Sequence, residues 1–149
     1  MKTIIRTLRL FSFALILVLP GLSLHAQDGN PANGTWRGNW TEPSGYIYHA
    51  EVHLKATDST VDGSINWTLM KSPRTAEQSK LGLTGVEYVH GKFDPSSRVL
   101  TFEGYKKDDP NSILGLDKYK LILADNDKVM GGITWNHGSW TALLSLTRP

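Results

Sequence analysis

From Gly34 onward, apolar and polar side chains alternate with period two in one segment after another, and no segment sustains a helical period. Such alternation predicts strands with one face in a core and the other in water. Gly34 to Thr41 sets Trp36, Gly38 and Trp40 on one face. Tyr46 to Ala56 turns Tyr46, Tyr48, Ala50, Val52, Leu54 and Ala56 inward, with His49, Glu51, His53 and Lys55 outward. The next segment directs Val61, Gly63, Ile65, Trp67 and Leu69 inward. Val86 to Phe93 and Arg98 to Lys106 flank Asp94-Pro95-Ser96-Ser97, a tight turn by its proline. With those residues as the loop, Gly91 faces Leu100, Val89 faces Phe102 and Glu87 faces Gly104. Lys118 to Ala124 buries Tyr119, Leu121 and Leu123. The last two strands form a hairpin from Met130 to Leu146, with His137-Gly138 as a two-residue type I′ loop of positive φ. That register opposes Trp135 to Trp140, Ile133 to Ala142, Gly131 to Leu144 and Val129 to Leu146.

The expected fold is therefore all-β: about eight antiparallel strands joined consecutively, which close into an up-and-down β-barrel without raw edges. A two-sheet sandwich is the rival, and the hairpin-like spacing favours the barrel. Connections alternate between the ends of such a barrel. One end receives only short turns. The other receives the two longest polar stretches, Lys71 to Gly82 and Lys107 to Asp117, the second with a helical turn expected around Ile113 and Leu114. That end is the expected mouth, where barrels carry ligands. The inner positions nearest to it are Trp40, Tyr46, Tyr48, Trp67, Glu87, Tyr119, Trp135 and Trp140. Aromatic walls with one carboxylate and several phenols suit a small amphipathic ligand; the same side chains can instead simply fill the barrel.

Composition changes the picture at the N-terminus. Lys2, Arg6 and Arg9 precede an apolar run from Leu10 to Leu19, Pro20-Gly21 breaks it, and Leu24-His25-Ala26 ends on a small residue. This predicts a cleaved secretory signal peptide over 1–26, a flexible lead-in over 27–33 and a single barrel domain over 34–149, secreted or periplasmic. A ten-residue apolar run is too short to span a bilayer. Cleavage would remove three positive charges and no acids, changing the formal charge from +2 to −1. No basic stripe then remains to point to nucleic acid. With no cysteine, the core must hold without disulfides, which a chain of this length can do.

Two features resemble the calycin barrels, the group of lipocalins, fatty-acid-binding proteins and, more loosely, avidins. Gly34-Thr35-Trp36 matches the Gly-x-Trp that opens their first strand, and Arg148 follows the last strand. The resemblance implies that Arg148 packs over Trp36 at the closed end, where both residues independently fall. It covers only this architectural pair. The lipocalin disulfide is absent, and no set of biotin contacts aligns with the avidins.

Individual residues narrow the chemistry. Glu87 faces inward and so must pair with a tyrosine, an arginine or a ligand, or hold its proton more tightly than usual. His49, Glu51 and His53 stand on one face about 7 Å apart in succession, better suited to solvent than to zinc. Asp108, Asp109, Asn111 and Asp117 lack the EF-hand order for calcium and read as an acidic turn. Asn33, Asn39 and Asn66 begin Asn-x-Thr triplets, relevant only under a glycosylating pathway. His137 with Glu87 is a weak acid–base pair. No nucleophile motif, phosphate loop or cofactor motif accompanies it. The expected function is binding of a small molecule at the mouth, with no cofactor. The alternative is a non-enzymatic structural or protein-interaction module with a filled core, and a small hydrolase or isomerase ranks third.

Overall fold

A computed structural model describes residues 29–136 and 140–149. The chain forms eight strands in a closed antiparallel barrel in which each strand pairs with its sequence neighbours. They are β1 (Gly34–Thr41), β2 (Ile47–Thr57), β3 (Thr60–Lys71), β4 (Thr84–Asp94), β5 (Val99–Asp108), β6 (Lys118–Leu123), β7 (Val129–Trp135) and β8 (Thr141–Thr147). Pairing of β1 with β8, from Arg37 against Thr147 to Thr41 against Leu143, shuts the cylinder. The sandwich is excluded, and with it any free sheet edge.

Alternation set the faces of seven strands as expected: Trp36, Val52, Ile65, Val89, Leu100, Leu121 and Leu144 are all buried, one from each of β1 to β6 and one from β8. The two poles are filled differently. At the short-turn pole Trp36, Val61, Phe93, Leu123, Met130 and Leu146 form an apolar plug. Arg148 lays its guanidinium 4.5 Å from the centre of the Trp36 ring, as the calycin resemblance implies. Part of the expected lead-in is structural here. Ala32 is fully buried and its carbonyl accepts the Trp36 indole N–H at 3.0 Å. The proposed signal segment lies outside the described residues.

Three expectations fail locally. The β4–β5 loop is Pro95 to Arg98, because Asp94 pairs with Val99; Gly91 then faces Phe102 and Val89 faces Gly104, a slip of two that preserves the faces. A bulge follows between Tyr88 and Val89, so that Glu87 pairs with Lys107 and not Gly104. Asp94 organises this turn. Its carboxylate accepts the Ser96 N–H at 2.9 Å and the Ser96 and Ser97 hydroxyls at 2.7 Å each. These bonds, the Ser97 hydroxyl foremost, hold its pKa down at about 2. Arg98 takes the left-handed position (φ 57°), fixed by its guanidinium on the carbonyls of Leu123 and Ala124.

The second failure is the β7–β8 hairpin. Trp135 pairs with Thr141, where the two-residue loop would set it against Trp140. The whole face of β7 is reversed. Met130 and Thr134 point inward, while Val129 and Ile133 are exposed and Trp135 lies on the outer side. Opposite Leu146, Leu144 and Ala142 stand Met130, Gly132 and Thr134. In this register the Trp40 indole N–H donates to the Thr134 hydroxyl at 2.7 Å, so the one polar side chain brought inward on β7 is satisfied. His137 and Gly138, assigned to the turn, lie outside the described residues.

The third concerns the mouth loops. Residues 112–117 form no helix. Instead the Asp109 carboxylate accepts the backbone N–H groups of Ile113 and Leu114 at 2.9 and 2.8 Å, and the Tyr48 hydroxyl donates to the Ile113 carbonyl at 2.6 Å. The β3–β4 connection contains a 3-10 helix, Thr75–Lys80, that the polar composition does not announce.

Candidate functional site

The open pole holds a cavity of about 250 Å3, with the β3–β4 and β5–β6 loops on its rim. Trp40 comes from β1, Tyr48 from β2, Trp67 from β3, Glu87 from β4 and Tyr119 from β6, with Tyr46 and Trp140 at the loops. Seven of the eight residues assigned to the mouth thus line one space. Trp135 does not, because the reversal of β7 carries it to the outer face.

Tyr48 is the hub of the aromatic wall. Trp40 and Trp67 meet it edge-on at 5.5 and 6.1 Å between ring centres, and Tyr46 stacks on it at 6.4 Å. Trp140 in turn packs on Tyr46 at 5.5 Å. Burial foremost pushes the Tyr48 hydroxyl well above the usual phenol value, so it is a neutral donor at any physiological pH.

Glu87 is the polar centre of the floor. It is 2 % exposed and receives three donors: the Trp67 indole N–H at 3.0 Å, the Tyr119 hydroxyl at 2.5 Å and the Asp117 backbone N–H at 3.0 Å. Its partners are therefore a tyrosine, an indole and a backbone amide, with no arginine. Burial outweighs these donors and pushes its pKa up to about 7. Tyr119, fully buried, is also raised, first by burial and then by the Glu87 charge.

Asp117 completes the floor. Burial alone raises its carboxyl to about 6, and its charge adds to the rise at Glu87. Among the described residues that carboxyl accepts no hydrogen bond and meets no cation. At the rim, Glu77 accepts the hydroxyls of Ser72 at 2.6 Å and Tyr46 at 2.7 Å, bonds that hold its pKa down, and it pairs with Arg74 at 3.3 Å. Lys80 donates to the Ser112 carbonyl at 2.9 Å.

Arg74, Glu77, Lys80, Asp117 and Asn136 line the cavity without having been singled out for it. For Asp117 the signal was present: it shares parity with the inward Tyr119, Leu121 and Leu123. The remaining candidates are engaged elsewhere. Glu51 bonds Arg37 at 2.8 Å and His53 at 3.1 Å on the outer wall, and Asp109 braces its own loop. Among the described residues, no group of three or more His, Asp or Glu side chains is placed to hold a metal.

The two floor carboxyls set a pH dependence. Their folded values, about 7 and about 6, exceed the ordinary 4.5 and 3.8, so the native state binds their protons more tightly than the unfolded chain. The stability that these groups favour is complete below pH 4 and is lost as pH rises to about 7, by roughly 3 kcal/mol from Glu87 alone. Asp94, Glu51 and Glu77 are lowered and act oppositely, losing their contribution as pH falls below 4. Thermal melts are expected to show a higher Tm at pH 5 than at pH 8. A Tm that rises over that interval would contradict the buried placement of Glu87.

No model of a known protein family matches this chain, and no curated protein matches it. Among solved structures it is similar to a redesigned β-barrel, mFAP0, bound to DFHBI, at 14 % identity and a TM-score of 0.58. That match covers 80 % of this chain and 100 % of the other. The likeness is one of fold.

Proposed function

We propose that this protein binds a small amphipathic molecule, non-covalently, in the cavity at the open pole of its barrel. The observation that carries this reading is the space itself. About 250 Å3 stays unfilled between Trp40, Tyr48, Trp67 and Glu87, in a barrel whose other pole is lined by buried apolar side chains. The volume falls just below the range typical of drug-sized ligands, which limits the occupant to a compact molecule. That mFAP0, a barrel of like fold, carries DFHBI is in keeping with such use of the interior.

Two further parts belong to the proposal. Residues 1–26 act as a secretory signal, so the barrel works in the periplasm or outside the cell. The chain is a calycin-like barrel, supported by the stacking of Arg148 on Trp36. Among the described residues no helix is long and apolar enough to cross a membrane.

A second reading rests on Ile122, Ile133 and Leu143, which are 59, 45 and 60 % exposed on the adjacent outer faces of β6, β7 and β8. An apolar strip of this kind suits a protein partner. A thermal-shift screen of metabolites, read with intrinsic tryptophan fluorescence, separates the two. Binding at the cavity predicts that one ligand class raises Tm and quenches fluorescence, and that Trp67→Phe weakens the response. Silence across all classes would favour the outer strip.

A further inference from the structure

We infer that the cavity takes a small organic cation, its ammonium-type head placed against Asp117 and Glu87 and its apolar substituents against Trp40, Tyr48 and Trp67. This rests on the ligand-binding reading and names the chemical class of the occupant.

Asp117 motivates it first. A carboxyl that is largely removed from water and is given no donor among the described residues is costly to keep ionised. Here it lines a cavity beside a second carboxyl that is still more deeply buried. Both groups would be relieved by one positive charge between them. Among the described residues none is supplied: Arg74 is taken by Glu77, Lys80 by the Ser112 carbonyl, and Lys107, next to β4, turns to Asp109 at 3.3 Å.

The walls select the kind of cation. Indole and phenol faces attract a diffuse, weakly hydrated positive charge such as an alkylammonium. A hard metal ion would ask for six or more oxygen ligands. The floor offers two carboxyls, one of them already accepting from Trp67, Tyr119 and the Asp117 N–H.

The test uses choline and its neutral isostere 3,3-dimethylbutan-1-ol, titrated into the barrel at pH 8 with tryptophan fluorescence as readout. Choline is expected to bind at least about tenfold more tightly than the alcohol, the worth of one modest charge interaction. Asp117→Asn should lower the choline affinity about tenfold and leave the alcohol unaffected. The variant keeps the fold's contacts, since only the Asp117 backbone bonds to Glu87 and Gly104. Equal affinities for the two compounds, or a choline affinity indifferent to Asp117→Asn, would overturn the inference while leaving ligand binding standing. If neither compound binds, the cation inference fails, and a silent metabolite screen would then remove the binding reading as well.

Discussion

Trp36→Ala is expected to lower the free energy of unfolding by roughly 3 to 5 kcal/mol. The side chain is fully buried at the shut pole, which it shares with the buried Val61, Phe93 and Leu146, so its removal leaves a hole in the core. Two polar attachments fail with it. The Ala32 carbonyl loses its 3.0 Å indole donor in a buried setting, and the Arg148 guanidinium loses the ring beneath it. Trp36→Phe keeps the apolar volume but not the donor, and should recover most of the loss. Urea melts of the two variants decide the matter: a loss under about 1 kcal/mol for Trp36→Ala would show that the residue does not plug the barrel.

The second large effect belongs to a residue with no side chain. At Gly38 a Cβ would stand 1.8 Å from the Ser145 carbonyl oxygen and 2.9 Å from the Leu146 Cα, and both obstacles are backbone. Neither can rotate away. Gly38→Ala must therefore push β1 from β8 at the seam that closes the barrel, at about 3 kcal/mol or more, the upper end of overpacking costs. Gly131→Ala, one strand further round, is the matched control. Its Cβ would come no closer than 3.2 Å to the Leu144 carbonyl oxygen, so the same substitution should change stability by less than about 1 kcal/mol. Equal melting curves for the two alanine variants would contradict the tight β1–β8 approach.

Much of this architecture can be read from alternation alone. Where apolar residues recur at every second position, as from Tyr46 to Ala56, the other parity, Ile47 apart, is polar and the face follows. β7 shows the limit. Val129, Gly131, Ile133 and Trp135 form a more apolar set than Met130, Gly132, Thr134 and Asn136, yet the second set points inward. The inward set carries Thr134, whose hydroxyl accepts the Trp40 indole N–H, a contact that local alternation cannot announce, and two adjacent glycines supply no local signal for either face.

The candidate site divides in the same way. Side chains carried by strands, such as Trp67, Glu87 and Tyr119, follow from parity, and Asp117 would have followed had the β6 alternation been carried back by two residues. The rim residues Arg74, Glu77 and Lys80 could not be placed so. They sit where they do because Glu77 gathers hydroxyls from Tyr46 and Ser72, contacts that exist only after the barrel has closed.

The chain's five tryptophans make the account testable in one spectrum. Trp40, Trp67 and Trp140 line the cavity, Trp36 lies at the opposite pole and Trp135 outside the wall. The decisive measurement is a 1H–15N NMR spectrum of the indole N–H groups, recorded with and without the ligand that responds most strongly in the screen. Shifts at Trp40, Trp67 and Trp140, with Trp36 and Trp135 unmoved, are the predicted result. Movement of Trp36 or Trp135 while Trp40 and Trp67 stay in place would contradict it.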